Sequence, residues 1–508
     1  MLFGYPTQVF IFHHSKPKCM KLITRFIFII MGLMAFQAES YGQQNKISGV
    51  IFTSSSNEAL SSLQQGMKFF DQNENKKARE YFQKAVQQDP RLTMGYLLLA
   101  DQSNTPGDFV KYLDQAKENL ANASEWEKLY YAYMETFLND DMNKRIQTAQ
   151  QMVSKFPDVP RAYVMLGNAY AATNNFTHAR LNYQKAVSMD PKSTVAYSPL
   201  SNSFLFQSPK DFKQAQVNAQ KLTELAPESS GAFIMLGDTY RAQNDLQKAY
   251  EAYSKAVMLD PESPSALYKR GHAQTFLGEY EKARADYQQA GSLDLSPGFA
   301  LQCIAFTYLY QDQPEKALKV LIDEAQRTGE MKDAHSAMAD KFLLLTTAAQ
   351  IAFHTGQASQ LQSIVEMMEP VSESMANSVG TNEARINFQS NILYWKGMTK
   401  TLNKDLMNAM AKANEMKNMV EPLQNPRKLE SYEELLGHIN YYEKKYKDAA
   451  DHFAKTNPLD MYDRYWLARS YEAAGKKEKA MAIYKEIAGY NFNDVGFALI
   501  RNDVKNRL

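Results

Sequence analysis

MLGNAYAATNNFTHARLNYQKAVSMDP runs from Met165 to Pro191, and MLGDTYRAQNDLQKAYEAYSKAVMLDP runs from Met235 to Pro261. Aligned on their Asp-Pro ends, they share Leu166 with Leu236, Gly167 with Gly237, Tyr170 with Tyr240, Ala179 with Ala249, Tyr183 with Tyr253, Ala186 with Ala256 and Pro191 with Pro261. Leu, Gly and Tyr fall at i, i+1 and i+4 of one helix, and Ala, Tyr and Ala at i, i+4 and i+7 of a second. Each helix therefore carries one apolar stripe. Small Gly and Ala residues let two antiparallel helices approach closely, with the tyrosines expected to flank the crossing. Asn174-Asn175 and Asn244-Asp245 between the helices favour a turn, and their second members are placed to cap the next helix. The Asp-Pro closes the unit, because proline disfavours helix in the residue before it.

This pattern of Leu-Gly, Tyr, Ala, aromatic, Ala and Pro resembles the tetratricopeptide repeat (TPR). Further copies follow along the chain: Gly66, Ala78, Phe82, Ala85 and Pro90; a divergent pair around Leu99-Ala100; a unit ending at Pro157; and Tyr197, Leu200, Ala215, Ala219 and Pro227. Two extra residues at Ser208-Pro209 in that last unit explain a spacing of 70 where two 34-residue units would give 68. Gly271, Ala283, Tyr287 and Ala290 mark another, then Ala305, Tyr308 and Ala317. The register breaks at Glu324 to Asp333. Weaker pairs resume at Ala358 with Pro370, Gly397 with Ala409, Gly437 with Phe453, and Ala468 with Tyr484.

The resemblance implies an all-α fold, an α-solenoid that winds as a right-handed superhelix of stacked antiparallel helix pairs. The expected organisation is an upstream extension plus signal peptide over 1–42, a linker over 43–58, an array of about seven units over 59–322, a divergent array over 323–490 and a charged capping helix over 491–508. The leader starts at Met20: Lys21 and Arg25 precede the apolar run Phe26 to Phe36, and small residues follow at Ala38, Ser40 and Gly42. That run is shorter than the roughly 17–25 residues a membrane span needs. Export to the periplasm or cell envelope is the expectation.

The 57 basic and 56 acidic residues are interspersed, so no single-sign field points to nucleic acid. Of the two cysteines, Cys19 precedes the leader and Cys303 lies in an apolar helical run, which leaves no disulfide framework. Phosphate loops, dinucleotide fingerprints, H-E-x-x-H and C-x-x-C are absent from the sequence. The eight histidines are scattered. Asp71-Gln72-Asn73-Glu74-Asn75 opens like a calcium loop, but Lys76 and Phe82 stand where Gly and Glu are required. The expectation is no enzyme, no cofactor and no metal.

In TPR proteins the first helix of each repeat lines a concave face along which peptides lie. Position by position, the resemblance puts Asn168, Asn202, Asp238, Arg241, Lys269 and His272 there, with Tyr268 and Phe306 as apolar neighbours. Asn side chains offer donors and acceptors to an extended backbone, and Lys and Arg can fix a carboxylate. The best-known TPR clamp for a terminal carboxylate matches only at Asn168; Val164 stands where a lysine is expected, and Gly231 and Met235 where basic residues are expected. The function expected is an exported, non-catalytic scaffold for a protein or peptide partner, with peripheral association with a membrane complex. The alternative is an exported module that captures glycan or peptide nutrients, although Trp126, Trp395 and Trp466 are dispersed and form no stacking platform in the sequence.

Overall fold

The computed structural model describes residues 46–47, 49–103, 105–293, 297–327 and 334–508. The chain divides into Met1–Lys46 and Ile47–Leu508. The leader at 20–42, the His13-His14 pair and Cys19 lie outside the described residues, as does most of the polar break at 324–333.

Two two-residue strands, β1 (Lys46–Ile47) and β2 (Val50–Ile51), precede helices. Those helices come as hairpins. The first four are α1 (Asn57–Asp71) with α2 (Asn75–Gln88), α3 (Thr93–Asp101) with α4 (Pro106–Glu118), α5 (Glu125–Leu138) with α6 (Met142–Lys155), and α7 (Pro160–Ala172) with α8 (Phe176–Met189). The next four are α9 (Tyr197–Phe206) with α10 (Phe212–Leu225), α11 (Ser230–Ala242) with α12 (Leu246–Leu259), α13 (Pro264–Phe276) with α14 (Tyr280–Leu293), and α15 (Gly298–Tyr310) with α16 (Pro314–Arg327). Then come α17 (Ala334–His354) with α18 (Ala358–Val379), α19 (Asn382–Leu402) with α20 (Leu406–Val420), α21 (Glu430–Tyr442) with α22 (Tyr446–Phe453), and α23 (Met461–Ala473) with α24 (Lys477–Ala488). A last helix, α25 (Val495–Arg507), has no hairpin partner of its own among the described residues.

The turn inside a hairpin follows from local chemistry. Asn174 and Asn244 adopt φ of 60° and 63°, a left-handed conformation that Asn tolerates better than most residues. The chain then bonds back, with the Asn175 amide on the Tyr170 carbonyl and the Asp245 amide on the Tyr240 carbonyl. Asn175 and Asp245 accept from the amides of His178 and Lys248, so both cap the second helix as expected.

The tyrosines do more than flank the helix crossing. A Cβ on Gly237 would lie 2.4 Å from the Tyr253 ring, and the same relation joins Gly167 to Tyr183, Gly271 to Tyr287 and Gly66 to Phe82. The second helix's aromatic rests on the glycine itself, which explains why the two positions recur together.

Three expectations need correction. The stretch read as a linker is engaged: Val50 and Phe52 are buried, and Thr53 Oγ1 donates to Glu127 Oε2 over 2.7 Å. Pro370 ends nothing; it lies inside α18, one of three helices of 21 or 22 residues where the TPR-like helices have 13 or 14. The pairs with Ala358 and Gly397 are weak matches because their helices outrun the repeat. Finally, α25 does not simply cover the last unit, because it packs on α15 and α17 as well as on α23 and α24.

The array also meets itself over long sequence distances. Ser229 Oγ donates to the Gln72 carbonyl, and Lys77 pairs with Asp260 at 3.1 Å. Thr381 Oγ1 donates to the Leu138 carbonyl, and Asn425 Nδ2 to Asp140 Oδ2, both over 3.0 Å. Among the described residues, no helix is long and apolar enough to cross a membrane.

Candidate functional site

Helices α11, α13 and α15 are the first helices of three successive hairpins, so their matching positions face one side. Asp238 and Arg241 on α11 meet Lys269 and His272 on α13. Lys269 Nζ donates to both Asp238 oxygens, over 2.8 and 3.0 Å. Arg241 Nη2 donates to Asp238 Oδ1 over 3.2 Å, and Tyr253 Oη donates to it over 2.7 Å. Burial pushes the Asp238 carboxyl up, but Lys269 and Arg241 together outweigh it and hold the group below the usual carboxylate range. The carboxylate is ionised and fully partnered.

The expectation that these residues face open solvent fails. Asp238 is 4% exposed, Arg241 2% and His272 5%. Over Arg241 and His272 the cover is the chain's own segment between α24 and α25. Phe492 lies under the Arg241 guanidinium, 4.6 Å from its ring centroid, and packs at 4.6 Å on Phe206 of α9. Asn491 Nδ2 donates to Asn244 Oδ1 over 3.0 Å. Asn493 Oδ1 accepts from Tyr310 Oη over 2.9 Å, while Asn493 Nδ2 lies 3.1 Å from His272 Nδ1. Burial first, then Arg241 and Lys269, drive the His272 pKa far down. A neutral ring with the Asn493 amide and the Tyr287 hydroxyl both near Nδ1 uses that nitrogen as an acceptor.

Four of the eight residues read from the sequence thus form one cluster, and the other four sit in separate surroundings. Asn168 is exposed, and its Oδ1 accepts from Tyr183 Oη over 2.8 Å, holding the ring that covers Gly167. Asn202 is half-buried on α9. Tyr268 is a core residue, edge-on to Phe299 at 4.8 Å and packed with Leu267, Cys303 and Ile304. Phe306 is 2% exposed in the apolar cluster it shares with Phe497 and Ile500 of α25.

Sequence reasoning missed Tyr490, Asn491, Phe492 and Asn493. The one available signal was a short run of alternating aromatic and asparagine residues between two helices. Beside this segment opens a cleft of about 600 Å³, lined by Lys210, Phe212, Ala242, Arg464, Tyr490 and Phe492 among others. Lys210 Nζ lies 5.6 Å from the Tyr490 ring centroid. Among the described residues, no group of three His, Cys, Asp or Glu side chains is placed to hold a metal ion.

Comparison with known proteins adds the following. Tetratricopeptide repeat models match residues 160–193, 264–296 and 464–490, and a TPR repeat model matches 237–275. No curated protein matches the chain in sequence. Among solved structures, a chain of the APC/C hetero-tetramer Cut9-Hcn1 is similar at 15% identity, covering 95% of this chain and 82% of that one with a TM-score of 0.42. A thermophilic TPR protein of Thermus thermophilus matches at 21% identity over 37% of this chain and 99% of its own, with a TM-score of 0.30. YrrB, a TPR protein described as having an unusual peptide-binding site, matches at 21% over 38% and 97%, with a TM-score of 0.26. The matched repeats, stacked as the helix pairs described above, make this chain a tetratricopeptide-repeat protein.

Proposed function

We propose that this TPR protein is an exported, non-catalytic scaffold that binds an extended segment of a protein partner in the periplasm or cell envelope, along the face formed by α9, α11, α13 and α15. One observation carries the binding part of this reading. That face already holds a non-helical stretch of polypeptide, 490–494, through amide hydrogen bonds, an aromatic ring on Phe206 and an arginine over the same ring. These are the contacts by which a groove recognises an extended peptide. The leader that begins at Met20 supports export.

The test is photocrosslinking in the native cell from a reactive residue at Gln243, which is exposed one residue from Asn244. Crosslinks to an envelope protein are the expected result; recovery of a glycan with no protein would overturn the reading. Mass spectrometry of the same material should place the mature N-terminus between Ala38 and residue 45. An N-terminus at Met1 or Met20 would contradict export.

A further inference from the structure

The contacts of segment 490–494 go beyond a peptide groove that awaits a partner. The segment connects two helices, yet its side chains reach residues about 180 to 290 positions earlier in the chain. Each side chain finds a particular seat: Asn491 on Asn244, Phe492 between Phe206 and Arg241, and Asn493 between His272 and Tyr310. Phe492 and Asn491 are buried there.

The fit is incomplete at one point. Arg241 is 2% exposed, yet its Nε and Nη1 have no hydrogen-bond acceptor. The chain's own segment offers this guanidinium the face of a phenyl ring and supplies no oxygen to those two groups. A buried donor without an acceptor is costly, so a segment that brings a backbone carbonyl or a carboxylate alongside its aromatic ring holds this seat better. The cleft of about 600 Å³ flanked by Lys210 and Arg464 leaves room beside Phe492 for such a segment to enter.

Resting on the scaffold reading above, we infer that Tyr490–Asn493 is a built-in competitor that occupies the partner site, and that the partner is an extended peptide carrying an aromatic residue between amide side chains, which binds by displacing Phe492 from Arg241 and Phe206. Tethering gives the internal segment a high effective concentration, so a free peptide of the same sequence competes poorly with it. Weakening the internal copy exposes the seat.

The experiment uses the full chain and a fluorescent peptide of residues 488–495, AGYNFNDV, followed by polarisation. Phe492→Ala and, separately, Asn493→Ala in the chain should each tighten peptide binding by roughly tenfold or more over wild type. A peptide with alanine in place of its phenylalanine should not bind either variant. Asn493→Ala removes hydrogen bonds without opening a large cavity, and it decides the matter if Phe492→Ala loses its helical circular dichroism. The inference is overturned if neither folded variant binds the peptide better than wild type, or if the phenylalanine-free peptide binds equally well. Crosslinks from Gln243 that persist unchanged in such variants would leave the scaffold reading standing without the competitor. Absence of protein crosslinks in wild type and variants alike would remove the scaffold reading itself.

Discussion

Lys269 reaches from one repeat to the next and places its ammonium 2.8 Å from the Asp238 carboxylate. Arg241 shares the same carboxylate, so a single acidic side chain balances two cations, and burial pushes the Lys269 pKa down despite the pairing. Breaking a buried pair leaves charge uncompensated, and Asp238→Ala should destabilise the protein by about 3–5 kcal/mol in urea unfolding. An Asp238→Ala protein that unfolds at the wild-type urea midpoint would show that Lys269 and Arg241 find other anions.

Tyr253 tests the glycine-aromatic register. Its ring is fully buried against Gly237, so Tyr253→Ala should cost about 3–5 kcal/mol. Tyr253→Phe keeps the ring and loses only the hydroxyl's bond to Asp238, at a cost of about 1.5–3 kcal/mol. Equal thermal midpoints for the two variants would mean that ring packing contributes nothing here.

Asp494 makes docking of the last helix pH-dependent. It caps α25 by accepting from the Phe497 amide, and burial outweighs that bond and raises its pKa to about 6. Between the ordinary value of 3.8 and about 6 the folded chain holds a proton that the unfolded chain has lost. Its contribution therefore falls as pH rises through that window. Asp494→Asn retains a capping side chain and should flatten this part of the stability profile; a wild-type slope in the variant would assign the effect elsewhere.

His438 has the opposite sign. Buried among Phe353, Phe453 and Trp466, with neither ring nitrogen hydrogen-bonded, it has its pKa pushed down to about 3. Below pH 6.5 the unfolded chain takes up a proton that the folded chain refuses, so stability is lost as pH falls from 6.5 toward 3. His438→Phe should be less acid-sensitive than wild type across that range, as read by thermal unfolding at pH 7 and pH 5.

Cys303 is completely buried, and burial pushes its thiol far above the usual range. Iodoacetamide should leave this residue unmodified in the native chain and label it in denaturant, as peptide mapping would show. Labelling under native conditions would mean that α15 opens readily.

The repeat was legible because its causes are local. Gly237, Tyr253 and the left-handed Asn244 sit within one helical hairpin, where spacing along the chain translates directly into position in space. The same spacing placed Asp238, Arg241, Lys269 and His272 on matching faces of neighbouring helices. Where helices lengthen, as in α17 to α19, the 34-residue ruler no longer applies, and Ala358 and Pro370, paired on that ruler, fall within one helix.

What covers that face was a tertiary decision. Phe492 meets Arg241 and Phe206, and Asn491 meets Asn244, across more than two hundred residues. No periodicity links such positions, because the distance between them depends on the summed rotation of every hairpin in between. By itself the sequence determined, within the 34-residue hairpins, which stripe of each helix packs on its partner and where the chain turns; only the folded array decided that its own segment at 490–493 would fill the face its repeats had built.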